Sequence, residues 1–364
     1  MEFIDLKTQQ KRIKSQIDHR IETVLDHGRY VMGPEVRELE GQLASYVGVE
    51  HCITVASGTD ALLIALMALD IGPGDEVITV PYTWISTAEV ISLVGATPVF
   101  VDIDEETWNI DTSLVAAAIT DKTKAIMPVG IYGQSADLKS LQEISESHGN
   151  IPVIEDAAQC FGAHHHGNIA CSQTLIGCTS FFPSKPLGCY GDGGAVFTNH
   201  NDLADKMRQI RVHGQARKHH HPILGLNGRM DTLQAAIMIP KLGIFDDEIS
   251  KRQQVAARYS NAIQANPNGI VTPFVAEENS SVWAQYTILS ESRDHLNQAL
   301  ADAGIPSVSY YSTPLHLQPV FENLGYVKGD FPVTERVADQ CLSLPMNPYL
   351  SEIDIDTVCN AFGS

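Results

Sequence analysis

Apolar residues recur at helical spacing through QQKRIKSQIDHRIETVLDHG, residues 9–28, and a glycine follows them. That pattern predicts an amphipathic helix with a glycine stop. GPEVRELEGQLASYVG, residues 33–48, predicts a second helix with Pro34 in its first turn and Gly48 at its end. The period then changes. HCITV, EVITV, TPVFVDI, KAIMPVG, IPVIEDAA, CTSFF and GGAVFTN are short apolar runs rich in β-branched or aromatic residues. DALLIALMALDIGPGD and WISTAEVISLVGA read as helices between them. Unalternating strands separated by helical patterns predict a mostly parallel sheet covered on both faces.

Beyond Arg229 the pattern shifts again. MDTLQAAIMIPKLGIFDDEISKRQQVAARYSNAI, residues 230–263, reads as one long helix kinked at Pro240. WAQYTILS predicts a strand, HLNQALADAGI a helix, and SVSYYSTPLHLQP a strand and loop. The expected organisation is α/β in two domains. A large one spans residues 1–245 and includes the N-terminal helices; a smaller C-terminal α/β domain spans residues 246–364.

Composition narrows the classes. The chain has 364 residues, 44% of them hydrophobic, enough for a large core. A net charge of −20 repels phosphate backbones, so neither nucleic acid nor an anionic membrane is an expected partner. No run has the apolar length of a membrane helix. The seven cysteines show no CxxC spacing, and the start MEFIDLKTQQKRIK lacks an apolar signal region. Reduced buried thiols and a cytoplasmic location are expected. The histidine runs 164–166 and 219–221 lack acid or cysteine partners at ligand spacing, so they are read as exposed loops and no metal is expected.

Four short motifs carry candidate chemistry. ASGTDALL turns from a strand into a helix, where Gly58 and Thr59 offer N–H groups to a phosphate, or Ser57 simply caps the helix. In VPYTWISTAEV, Trp84 could lie flat on a planar ligand or be an ordinary packed tryptophan. In PVIEDAAQCFGA, Asp156 ends an apolar strand, as a crevice acid or a satisfied strand-end carboxylate. In SFFPSKPLGCYGDGGA, Lys185 stands alone between aromatics and glycines, as a desolvated amine or a salt-bridged one. GDGG, residues 191–194, reads as the tight turn that starts the next strand. Together the four supply what pyridoxal phosphate needs: phosphate donors, a stacking face, an anion for the ring nitrogen and an amine for the aldehyde. Gln159, one helical turn beyond Asp156, can reach the 3′-oxygen or the ring face.

SGT-DAL, PYTW-x-x-T-A, VIEDAAQ, TSFFPSK, GDGGAVFTN and RMDTLQAAI stand in the order found in sugar nucleotide aminotransferases. On these motifs the whole chain resembles the DegT/DnrJ/EryC1/StrS family. The resemblance implies an aspartate-aminotransferase-like fold (PLP fold type I) and a homodimer with shared active sites. It implies that Lys185 forms the Schiff base and moves the proton, Asp156 pairs with the pyridine nitrogen and Trp84 stacks on the ring. Gly58, Thr59 and Ser180 would hold the phosphate, and Asn227 would reach the phosphate of the partner subunit's site. L-glutamate would be the amino donor, leaving as 2-oxoglutarate. The loop SFFPSKPLGCYGDGGA resembles that of members acting at C3 of the sugar, above all those taking a UDP-linked 2-acetamido-3-keto-hexuronic acid for lipopolysaccharide O-antigen synthesis. A UDP- or dTDP-linked keto-6-deoxy sugar stays open as substrate. Relatives that dehydrate sugars replace the lysine with histidine, and Lys185 speaks against that reading. A non-catalytic regulator would have less reason to keep Lys185, Asp156 and the phosphate turn. For a uronate carboxylate, Arg229 is the candidate cation. For the pyrophosphate, Arg208, Arg211, His213, Lys218 and His316 are candidates.

Overall fold

The computed structural model describes residues 1–265 and 269–362. Two helices open the chain, α1 (Leu6–His27) and α2 (Pro34–Val47). Each ends on a glycine in the left-handed region, Gly28 at φ 67° and Gly48 at φ 83°, as the stop signals predicted. An alternating run follows: β1 (His51–Val55), α3 (Gly58–Ala68), β2 (Glu76–Thr79), α4 (Ser86–Leu93), β3 (Thr97–Phe100), α5 (Thr112–Ala118), β4 (Thr123–Ile126), α6 (Leu138–Ser147) and β5 (Ile154–Asp156). A small hairpin, β6 (His164–His165) and β7 (Asn168–Ile169), precedes β8 (Ile176–Ser180), β9 (Gly194–Thr198) and α7 (Asn201–Ile210).

Strands β1, β9, β8 and β5 pair in that order, and β3, β2 and β4 form a second group. Parallel bridges Ile126–Val153 and Val129–Asp156 join the groups into one sheet. All its strands run the same way except β9, which is antiparallel to β1 and β8. Successive strand residues serve opposite cores. Val77 packs with α3 and α4 on one face, while Ile78 packs with Val129 and Leu141 on the other. Val196 and Phe197 divide in the same manner. Two covered faces explain why these strands read as continuous apolar runs.

The predicted long helix is two. Pro240 sits inside α8 (Thr232–Leu242), and the chain breaks at Gly243 and Ile244 before α9 (Phe245–Ala265). Pro240 lies in the last turn of α8, where a lost N–H bond costs little further helix. After α9 come β10 (Ile270–Val271), β11 (Tyr286–Ser290), α10 (Arg293–Asp302), α11 (Pro332–Gln340), β12 (Cys341–Leu344) and α12 (Glu352–Ala361). SVSYYSTPLHLQP forms no full strand. Val308 makes a single bridge to Ser343, Tyr311 takes φ 58°, and short 3₁₀ turns follow Pro314. Strands β10, β11 and β12 form an antiparallel sheet. With α9 and α12 it encloses its own core of Tyr259, Ile263, Tyr286, Ile288, Leu342 and Val358. We propose residue 245 as the domain boundary, supported by that separate core and the helix break beside it.

All seven cysteines are free, with Cys359 half-buried and the others buried. Burial pushes their thiols up, which makes them poor nucleophiles. No described helix is long and apolar enough to cross a membrane, and no described group of three His, Cys, Asp or Glu side chains could hold a metal ion. One histidine run departs from expectation. His165 is fully buried in the β6–β7 hairpin, with Nδ1 2.7 Å from Asn279 Oδ1, whereas His164 and His166 are exposed. Run 219–221 is exposed throughout.

Candidate active site

The carboxyl ends of β1, β5 and β8 open on one cavity of about 470 Å³. Its wall includes Gly58, Thr59, Trp84, Asp156, Gln159, Ser180 and Lys185. The four sequence motifs therefore meet in space.

The turn after β1 is built for a close approach. Ser57 caps α3 by accepting the Asp60 N–H at 3.0 Å, leaving the first-turn N–H groups of Gly58 and Thr59 without helical acceptors. A Cβ on Gly58 would lie 2.6 Å from Ser180 Cβ, so glycine lets the ends of β1 and β8 converge. Thr59 Oγ1 sits 2.8 Å from Ser86 Oγ, which adds hydroxyls beside those N–H groups. The result is a small anion cradle at a helix N-terminus. Trp84, just before α4, is 61% exposed and lines the cavity, so its ring is open to a planar ligand.

Asp156 ends β5 and is buried. Thr87 Oγ1 donates to its Oδ2 at 2.9 Å and the Ala158 N–H to its Oδ1 at 3.1 Å. Burial raises its pKa above the usual carboxylate value; the Ala158 and Thr87 bonds and the charge of Lys185 act the other way. Lys185 is half-buried by exposed area. Desolvation among its neighbours lowers its pKa to about 8, against the opposing pull of Asp156. An aspartate and a lysine amine thus face the same space, each shifted toward its uncharged form.

Gln159 is held on both sides. Its Oε1 accepts the Tyr132 N–H at 3.1 Å, and its Nε2 donates to the Tyr311 hydroxyl at 2.9 Å. A backbone N–H can only donate, so the amide is locked with its NH₂ toward Tyr311 and the cavity. Sequence reading missed both Thr87 and Tyr311. Thr87 stands three residues beyond Trp84, where a hydroxyl facing a strand-end acid was the available signal. Tyr311 comes from the C-terminal part of the chain, and no local pattern connects it to Gln159.

The proposed substrate contacts fare differently. His316 is 2% exposed, packed on Phe331 with ring centroids 4.7 Å apart, and its Nε2 is 3.1 Å from Glu335 Oε1. It faces a side core instead of the cavity, so the expected substrate contact is corrected. Arg211 is likewise buried, paired with Glu40 at 2.5 Å and donating to Thr54 O at 2.7 Å. Arg208 pairs with Asp205 at 3.1 Å. His213 and Lys218 are exposed and do not line the cavity. Asn227 is exposed and Arg229 half-buried, both outside this chain's own cavity wall. Their segment borders the phosphate turn, with Ala56 N–H donating to Gly228 O at 2.9 Å.

The sequence matches the model of the DegT/DnrJ/EryC1/StrS aminotransferase family over residues 11–363. The chain belongs to that family. It is 53% identical, over 99% of both chains, to the UDP-2-acetamido-2-deoxy-3-oxo-D-glucuronate aminotransferase of Pseudomonas aeruginosa. A crystal structure of a family aminotransferase from Brucella abortus superposes with a TM-score of 0.95 at 43% identity, covering 100% of this chain and 98% of that one. A putative sugar aminotransferase from Streptococcus pneumoniae, solved in its PLP form, gives 0.90 at 26% identity, covering 96% and 95%. The fold is thus the α/β fold that the family resemblance implied, and the chain is an aminotransferase. Its residues fit pyridoxal phosphate: an anion cradle that a Cβ would fill, a buried carboxylate, an open aromatic face and a desolvated lysine share one cavity.

Thr87→Val is expected to lower turnover about tenfold, because a hydrogen bond to a charged group contributes about 1.5–3 kcal/mol. Thr87→Ser should keep most of the activity. Steady-state kinetics of both variants check it; equal losses would separate Thr87 from the support of Asp156.

Proposed function

We propose that this aminotransferase moves the amino group of L-glutamate to C3 of UDP-2-acetamido-2-deoxy-3-keto-D-glucuronic acid, in surface-polysaccharide (O-antigen) synthesis in the cytoplasm. The observation that carries the substrate is the 53% identity, end to end, with the Pseudomonas aeruginosa enzyme of that specificity. The protein would work as a homodimer, in which Asn227 and Arg229, outside their own cavity, serve the partner subunit's site.

When bound, pyridoxal phosphate supplies an electron sink for charge developing on the substrate carbon. The chain's residues supply the rest. First-turn N–H groups of α3 and the Ser180 hydroxyl hold a phosphate at one end of the cavity. Asp156 holds positive charge at the other end, with Thr87 and Ala158 fixing its two oxygens. Trp84 covers one face of a flat ligand and keeps water from it. Lys185 Nζ has a pKa close enough to neutrality to take a proton in one half-reaction and return it in the other.

The test is a single turnover of the pyridoxamine-loaded protein against UDP- and dTDP-linked keto sugars. The UDP-3-ketouronate should react fastest. Faster reaction with dTDP-3-keto-6-deoxy sugars would overturn the substrate. Arg229→Ala should slow the ketouronate half-reaction at least about tenfold, the worth of a charge-assisted contact, and leave the glutamate half-reaction near wild type. Equal losses in both would assign Arg229 to the subunit interface.

A further inference from the structure

Lys241 is a lysine in a place where a hydrophobic residue would be expected. It lies on α8, 1% exposed, outside the cavity. Its Nζ donates to the Gly188 carbonyl and stands 4.6 Å from the centroid of the Tyr190 ring. Burying an ammonium is costly, and an apolar side chain of similar volume is often neutral or better for stability. Burial lowers the Lys241 pKa to about 8, with Cys189 and Glu248 opposing. The bland account, that Lys241 merely fills space, leaves that cost without a return.

What it touches is the loop carrying Lys185. A Cβ on Gly188 would lie 2.6 Å from Phe182 O and 2.7 Å from Pro183 O, so the loop folds back on itself there. The Lys185 N–H closes a turn onto Phe182 O at 2.9 Å, and the Cys189 N–H bonds Phe181 O at 2.8 Å. Whatever fixes Gly188 therefore fixes the segment from Phe181 to Lys185. A second side chain of α8 grips the same loop. Gln234 Oε1 accepts the Tyr190 N–H at 2.9 Å, and a Cβ on Gly191 would come within 2.9 Å of Gln234 Nε2. Gln234 and Lys241 are seven residues apart, two helical turns, and so share one face of α8. One binds a loop N–H and the other a loop C=O, on either side of Cys189.

We propose that Gln234 and Lys241 are positioning residues, a two-point clamp by which α8 sets the loop that aims Lys185 into the cavity. The proposal rests on the reading of Lys185 as the cofactor lysine. Neither side chain lines the cavity, so each acts only through the loop. The segment Asn227–Arg229 leads directly into α8, so the clamp also ties the loop to the residues assigned to the partner subunit's site.

The test uses the full-length holoenzyme and the variants Lys241→Met, Gln234→Leu and Gln234→Glu, the last of which keeps an acceptor for Tyr190. Borohydride reduction and peptide mapping first locate the cofactor. Label absent from Lys185 in the wild type would sink the cofactor reading itself, separately from the clamp. With label on Lys185, Lys241→Met and Gln234→Leu should each lower kcat about 10- to 100-fold, since a displacement near 1 Å can cost that much. Their KM values should change little, and the pH midpoint of the bound-cofactor absorbance should move from its wild-type value. Gln234→Glu should restore both. Thermal midpoints should stay near wild type. Wild-type kcat and pH midpoint in both variants would overturn the clamp, as would activity lost only in step with folded protein. If Lys241→Met does not fold, an unshifted Gln234→Leu alone overturns it.

Discussion

Lys185→Ala is expected to lower amino transfer by at least about 10⁴-fold, because one amine serves as both nucleophile and proton carrier. Covalent attachment of the cofactor should vanish, while the phosphate cradle and Asp156 still hold it without a covalent bond. The pH dependence has a definite sign. A protonated lysine cannot attack a carbonyl, and burial has lowered the Lys185 pKa to about 8. At pH 7 roughly a tenth of the amine is neutral, against far less than a hundredth for a free lysine near 10.4. Loading of cofactor-free protein with pyridoxal phosphate should therefore speed up roughly tenfold per pH unit below 8 and level off above it. Stopped-flow absorbance on mixing, from pH 6.5 to 10, reads that profile. A rate still climbing through pH 9.5 would mean that the loop does not desolvate Lys185. Residual turnover in Lys185→Ala within tenfold of wild type would remove the lysine from the chemistry.

The parts of the site legible in sequence are those fixed within a few residues of a strand end. Gly58, Trp84, Asp156 and Lys185 each follow a short apolar run, and a mostly parallel sheet gathers such positions at one edge. Glycine stops and the helix-strand alternation were legible for a similarly local reason. Strand direction was not: GGAVFTN looks like its neighbours, yet β9 runs opposite to them. Nor could spacing show that residues 230–263 divide at Gly243, or that α9 begins in the core of α8 with Phe245 and enters the C-terminal core only from Val255. The cations failed most clearly. Arg211 and His316 looked like substrate contacts because charge suggests solvent, but Glu40 and Glu335 had already claimed them. Partners lying 171 and 19 residues away in the chain leave no local trace. The same blindness hid Lys241, whose neighbours in AAIMIPKL suggest only an apolar helix.

Asp156→Asn is expected to cost about 10³-fold in turnover, the scale for removing a preorganised charge at a reacting group. The fold should survive, because asparagine has the same shape and Thr87 Oγ1 can turn to accept from an amide. What is lost is the negative charge that keeps a ring nitrogen protonated. The direction of the Asp156 pKa makes a companion prediction. Burial raises it in the cofactor-free protein, so the carboxyl takes up a proton at a higher pH than an exposed aspartate would. Cofactor affinity should accordingly fall as the solution is acidified through that range, because a neutral acid cannot pair with the ring cation. A bound cation favours the ionised form, so the loaded protein should hold its cofactor to lower pH than the empty protein needs to capture it. Absorbance titrations begun from loaded and from cofactor-free wild type, beside Asp156→Asn, would separate the effects. In the variant the acid-dependent step should disappear, and an unchanged step there would assign it to another group.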